Sequence, residues 1–258
     1  MGGEIFEYNE SIESLGMGGV RILRKNSPAS MLLNPGTLAW NEGMSWDIAN
    51  IGTGLNTSAI TDASTFQNIS ASNMNALYGK PISVRANGHT SLSFPYFGFS
   101  VYNQSSLGLV INNPSYPNAT LDLSNDYGYL VGAGFPLLGP LMTAGVNLKR
   151  ITRLGGRFEL GPNELSAISN SSLQNNLQNE GTGYGVDLGL IVRAPGKLNP
   201  TFHAAWKDVG STSFIRSKGS STPTSIQDNL SLGAQVSAEA FGTGFAAGLE
   251  YRNVNLSS

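Results

Sequence analysis

The sequence predicts an all-β chain: a transmembrane antiparallel β-barrel. Three observations predict it. Apolar residues recur at every second position in segment after segment, which is the period of a pleated strand. The intervening positions hold Gly and small polar residues, and the connections alternate short with long. That asymmetry is expected of an outer-membrane barrel with short periplasmic turns and long extracellular loops.

The alternation is clearest from Gly183 to Arg193, where Tyr184, Val186, Leu188, Leu190 and Val192 share one face, and Gly183, Gly185, Asp187, Gly189 and Arg193 the other. Tyr127, Tyr129, Val131, Ala133 and Phe135 oppose Gly128, Gly132 and Gly134, and Met142, Ala144, Val146 and Leu148 oppose Thr143, Gly145, Asn147 and Lys149. Two further segments repeat it: Leu230 to Ala238 against Asn229 to Glu239, and Phe245 to Tyr251 against Gly244 to Arg252. A soluble β-sandwich or β-solenoid would alternate too, but its outer face would carry Lys, Glu and Thr in place of a row of glycines. Small residues suit a crowded lumen. Tyr184, Leu188, Leu232, Val236, Phe245 and Leu249 are therefore expected to face lipid.

Read this way, residues 43–258 hold about nine strands, near Met44–Gly52, Ser83–Phe94, Phe97–Asn112, Thr120–Phe135, Leu141–Arg157, Thr182–Ala194, Thr201–Phe214, Ile226–Glu239 and Thr243–Asn255. The short connections are Pro95-Tyr96, Pro136 to Pro140, Pro195 to Pro200 and Ala240 to Gly242. The longer ones lie near Thr53–Ile82, Asn113–Ala119, Gly161–Gly181 and Ile215–Ser225. Two long connections carry helix-like spacing: Leu55, Ile60, Phe66, Ile69, Met74 and Leu77 in one, Leu165, Ile168, Leu173 and Leu177 in the other. Amphipathic helices over the barrel mouth and polar loops with apolar anchors both fit that spacing.

Composition narrows the function classes. Only 12% of the 258 residues are charged, yet the hydrophobic fraction is 40% and the mean hydropathy −0.09. No run of about 18 apolar residues occurs, so spanning helices are excluded. A barrel needs only every second residue apolar and can look soluble on average. The lack of cysteine removes disulfides, thiolate catalysis and thiolate metal sites. A net charge of −2 and a pI near 5.7 leave no basic footprint for nucleic acid. Met1-Gly2-Gly3-Glu4 shows no basic region followed by an apolar core, so any export signal lies outside this sequence. Phe6, where a Ser or Thr would be needed, argues against myristoylation.

Before the first strand, residues 1–42 form a segment of different character. It contains Gly16-Met17-Gly18-Gly19 and then Asn34-Pro35-Gly36-Thr37-Leu38-Ala39, whose Asn-Pro-Gly implies a turn. Gly-x-Gly-Gly could suggest a nucleotide loop, but no strand precedes it and no Lys-Ser/Thr follows. The two motifs in this order resemble the long-chain fatty acid transporter family of outer membranes (FadL-type) and related secretion-associated barrels (PorV-type). In those, a Gly-Met-Gly-Gly element precedes a short acidic stretch and Asn-Pro-Ala-Gly-Leu-Ala. The likeness is sharp over the first forty residues or so and is one of pattern beyond them. It departs at Arg24-Lys25-Asn26, in place of an acidic pair, and at Gly36-Thr37, in place of Ala-Gly.

The resemblance implies a FadL-like barrel at the bacterial outer membrane, with Gly16 to Ala39 as the hatch and the Asn34-Pro35 turn fixing it to the inner wall. It implies a channel taking up hydrophobic small molecules such as fatty acids, through an external groove and a lateral opening. The alternatives are a segment that merely fills the lumen, and a barrel that anchors secretion or surface-assembly partners. Inward positions by the alternation are Arg85, His89, Lys149, Asp187, Arg193, His203, Lys207, Glu239, Glu250 and Arg252. Both signs are present, which favours internal ion pairs over the one-sign ring of a selective pore. His89 and His203 lie on separate strands without a metal-ligand pattern, no nucleophile-elbow spacing occurs, and neither enzyme activity nor a cofactor is expected.

The strand count implies that the barrel is incomplete in this chain. Nine strands leave the first and last running the same way, whereas bacterial barrels have an even number with every edge paired. Val254-Asn255-Leu256-Ser257-Ser258 lacks a terminal aromatic, and the family resembled has about fourteen strands, so about five would come from a second chain or further sequence. A miscount within 53–82, with eight or ten strands closing on themselves, is the alternative.

Overall fold

The computed structural model describes residues 22–56, 61, 78–112, 118–161, 179–196, 198–240 and 243–254. Ten strands form one antiparallel sheet: β1 (Ser45–Leu55), β2 (Ile82–Phe94), β3 (Phe97–Asn112), β4 (Asn118–Pro136), β5 (Met142–Leu160), β6 (Glu180–Arg193), β7 (Thr201–Lys207), β8 (Phe214–Lys218), β9 (Asn229–Ala240) and β10 (Thr243–Val254). They follow in sequence order except that β8 lies beside β6, so that β7 neighbours β9. The sheet curls into a half-barrel. Its edges are β1 and β10, which do not pair with each other among the described residues.

The seventh expected strand, Thr201–Phe214, is two strands. β7 pairs with Leu188–Arg193 of β6 and β8 with Glu180–Gly183 of the same strand. Between them the chain turns through Asp208, Gly210 and Ser211, all at positive φ (50°, 77° and 65°). The Val209 N–H, donating to Val186 O at 2.9 Å, and the Asp208 N–H, donating to Asp187 Oδ1 at 2.9 Å, keep the interruption on β6. The sheet thus has nine positions and ten strands, and the long connection expected at Ile215–Ser225 contains β8. Strict alternation of connection length also fails. β3 and β4 run on until five residues separate them (113–117), as many as separate β4 from β5 (137–141). Leu55 ends β1; the rest of both helix-like patterns lies outside the described residues.

The outward phase is apolar and exposed over β9, β10, β6 from Tyr184 and the shorter-turn end of β3 and β4; farther along β3 and β4, Asn103, Ser105 and Asn125 interrupt it, and Leu109, Ile111, Ala119 and Leu121 on the same phase are buried. Tyr184, Leu188, Leu232, Val236, Phe245 and Leu249 all lie on it, from 39% (Val236) to 80% (Leu249) accessible. Apart from Phe99 on β3, which lies between them beside Val131, its aromatics fall in two rows. At the end with the shorter turns stand Trp46, Tyr96, Phe97, Phe135, Phe202 and Phe245, and toward the other end Tyr127, Tyr129, Tyr184 and Tyr251. Tyr129, Arg150 and Tyr184 are cross-strand partners in succession, which sets a long cationic side chain between two tyrosines. Between the rows, β4, β5 and β6 present Val131, Ala133, Ala144, Val146, Leu148, Val186, Leu188 and Leu190, without a charge. Tyr127 to Phe135 and Tyr184 to Val192 each cover eight residue steps. That is about 26 Å along a strand and about 20 Å after a tilt of about 40°.

The inner face is covered by residues 22–41. A single helical turn, Ser30–Leu33, leads into a 3₁₀ helix, Pro35–Trp40. Met31, Leu32 and Leu38 pack with Tyr102, Leu130, Ile151 and Phe214, and Leu23, Leu33 and Trp40 pack with Ile191. The inward glycines are the bed for this helix. A Cβ at Gly145 or Gly189 would overlap the Pro35-Gly36 backbone or Asn34 Oδ1, and one at Gly132 or Gly134 would come within 2.9 Å of Leu38 side-chain atoms. The small residues that made the lumen look crowded are where a second backbone lies against the sheet.

Candidate functional site: the inner face and the segment it holds

Asn34 organises the segment. As N-cap of the 3₁₀ helix, its Oδ1 accepts from Gly36 N–H at 3.0 Å, and its main-chain carbonyl accepts from Thr37 Oγ1 at 2.8 Å. Asn-Pro-Gly therefore opens a helix, with Asn capping and Pro at the first position, where the sequence implied only a turn. Its Nδ2 reaches across to donate to Ala204 O on β7 at 2.9 Å. Asn147 Nδ2 on β5 donates to Met31 O at 2.9 Å, and Gln235 on β9 brackets Leu23, accepting from its N–H at 2.8 Å and donating to its carbonyl at 3.0 Å. Asp47 on β1 accepts from Ala29 N–H at 3.2 Å, and the Tyr96 N–H, in the β2–β3 turn at φ 68°, donates to Leu38 O at 3.0 Å. The polar ties run from β1 to β9, across nearly the whole sheet.

Beside the segment lies a buried charge cluster. Lys149 Nζ is 2.6 Å from Asp187 Oδ1 and 2.8 Å from Asp208 Oδ2. Asp187 Oδ1 also accepts from the Asp208 N–H at 2.9 Å, and Asp208 Oδ1 accepts from Thr212 Oγ1 at 2.6 Å. Lys149, Asp187 and Asp208 are all under a tenth exposed. Burying such ions is costly unless they are paired and hydrogen-bonded, and Lys149 and Asp187 together tie Asp208 to the inner face at the interruption between β7 and β8. A cavity of about 20 Å³, lined by Leu32, Tyr102, Lys149, Asp187 and Lys207 among others, separates the cluster from the segment.

The structure brings together several of the expected inward residues and leaves others apart. Lys149 and Asp187 meet in this cluster, and Lys207 lines the small cavity beside it. His89 and His203 are buried on β2 and β7, and a Cβ at Gly233 would overlap the His203 imidazole. Arg193 stacks over the Trp40 ring, 3.6 Å from its centroid. Glu250 and Arg252 pair with each other at 3.0 Å on β10. Arg85 lines a second cleft, of about 500 Å³, with Asp122 and Arg157. Gly16, Met17, Gly18, Gly19 and the side chain of Glu239 lie outside the described residues, whereas Asn34, Pro35 and Gly36 sit on the glycine bed. Among the described residues no three His, Asp or Glu side chains converge as a metal site.

Sequence reasoning missed Asp208, Thr212 and Trp40. Asp208-Val209-Gly210-Ser211 carries turn chemistry and could have marked the strand break. Nothing local marks Trp40, whose role depends on Arg193, far along the chain. Comparison of the chain with protein-family models, with curated proteins and with solved structures finds no match.

Proposed function

We propose that the chain forms part of the wall of an outer-membrane β-barrel that admits hydrophobic small molecules, with residues 22–41 as a plug that must shift for passage. The observation that carries this reading is the pairing of two opposite faces. Across β4 to β6 the outer face is an uncharged apolar belt about 20 Å tall between two aromatic rows, approaching the band of about 25 Å between aromatic girdles of a barrel in lipid. The inner face is polar and filled by a segment tied down through a few side-chain bonds. Clefts of about 650 and 500 Å³ open at the two ends of the sheet. The edges β1 and β10 then pair with strands of a second chain or of further barrel sequence, because no unpaired edge is tolerated in hydrocarbon. This reading, which also draws on the FadL-type resemblance, assigns no catalytic step and no cofactor.

A second reading, an anchoring barrel that does not transport, is favoured by the tight interior between plug and charge cluster. A reversible cross-link separates the two. Cysteines at Leu23 and Gln235, joined by a short cleavable bis-maleimide in the otherwise cysteine-free protein, pin the plug to β9. In lipid vesicles the cross-link should abolish entry of a hydrophobic fluorophore, and cleavage should restore it. Entry that is equal before and after cleavage contradicts the channel reading.

A further inference from the structure

The larger cleft lies at the shorter-turn end, between the start of the plug and the inner faces of β6, β7 and β9, with a volume of about 650 Å³. Its lining is unusual for this chain. Arg24, Lys25 and Arg193 all border it, in a protein with only 15 cationic residues in 258. Ile22 and Leu23, both buried, supply apolar surface beside them. Two hydrogen-bond donors there lack acceptors among the described residues. Trp40, 6% exposed, has its indole Nε1 buried with no partner. Arg193, half-buried and laid flat on that same indole, meets no carboxylate. A guanidinium held over a ring keeps its N–H groups available at its edge for an oxyanion, and a buried donor without an acceptor costs stability unless something fills the role. Among the described residues Lys25 is engaged only by the exposed Glu42, a pairing that competes weakly with a bound anion.

We propose that this cleft binds a phosphate-bearing amphipath. The phosphate oxygens accept from the Arg193 fork and the Trp40 indole, Arg24 and Lys25 supply further positive charge at the mouth, and the acyl portion lies along Ile22 and Leu23. One guanidinium fork would satisfy a carboxylate; three cations at one mouth match a headgroup that carries up to two charges. The site does not depend on whether the barrel transports.

The test uses the fluorescence of Trp40 alone, in a W46F/W206F background, with the folded protein in neutral detergent. Short-chain phosphatidic acid should change the signal saturably and bind at least about tenfold more tightly than the matched neutral diacylglycerol, and R193Q should weaken it by about tenfold. Competition by inorganic phosphate would identify a soluble phosphate ester as the source. Failure of inorganic phosphate to compete, with phosphatidic acid still bound, would identify a lipid headgroup. Equal binding of the diacylglycerol, equal binding of a short-chain fatty acid, no binding at all, or unchanged affinity in R193Q overturns the proposal. If R193Q does not fold, exposed Lys25→Gln replaces it. A two- to threefold loss with a shallower salt dependence supports the site, and an unchanged affinity overturns it.

Discussion

Lys149→Met should destabilise the protein by about 3–5 kcal/mol, the largest loss expected from any single change on the inner face. The methionine fills the volume but leaves Asp187 and Asp208, which now share one ammonium at 2.6 and 2.8 Å, as buried carboxylates without it. Removing one member of a buried charge cluster costs more than the cluster itself contributes. The companion variant K149M/D187N/D208N removes all three charges and should recover most of the loss. Denaturant unfolding of the three proteins decides it: equal losses in the single and triple variants would mean that Lys149 acts by packing, and that charge does not hold 208–213 inward.

On the opposite face Leu188→Arg should cost about 2–4 kcal/mol in a bilayer, because Leu188 is midway between the aromatic rows and a cation there sits at the apolar centre of a barrel wall. At Tyr184, four residues along β6 and in the row with Tyr129 and Arg150, the same replacement should cost only about 0–1 kcal/mol. The gradient is diagnostic: a folded surface in water would register little at either place. Equilibrium urea titrations in lipid vesicles measure both. If Leu188→Arg folds with unchanged stability, its face does not lie in hydrocarbon.

How much was legible in the sequence follows from which contacts are local. β3 begins and ends where the sequence placed it, since Pro95-Tyr96 stops one strand and starts the next and Asn112-Asn113-Pro114 supplies turn chemistry at its far end. Alternation also assigned the outward phase of β6, β9 and β10, because a period of two leaves only two choices. The break between β7 and β8 was legible in the turn chemistry of Asp208-Val209-Gly210-Ser211 but not in its cause, since the partner of Asp208 is Lys149 on β5. Glycines on β4, β5 and β6 were legible as a row of small residues, but what they make room for, the Asn34–Trp40 backbone, is remote in sequence. Asn147 and Gln235 were visible as inward residues without a partner, and their partners are plug carbonyl and amide groups that no spacing reveals.

The account rests on the sheet's outer face lying in lipid and its inner face against the plug, and the most direct measurement is a single-cysteine scan from Leu230 to Val236 on β9. Each cysteine, labelled with an environment-sensitive fluorophore in lipid vesicles, is exposed to brominated lipid and to a soluble quencher. Labels at Leu230, Leu232, Ala234 and Val236 should be quenched by brominated lipid, and those at Ser231 and Gln235 should not, giving a period of two along the strand; Gly233, where a Cβ would overlap His203, is left unchanged. Quenching by the soluble agent at Leu232 and Val236, with no response to brominated lipid, would contradict it.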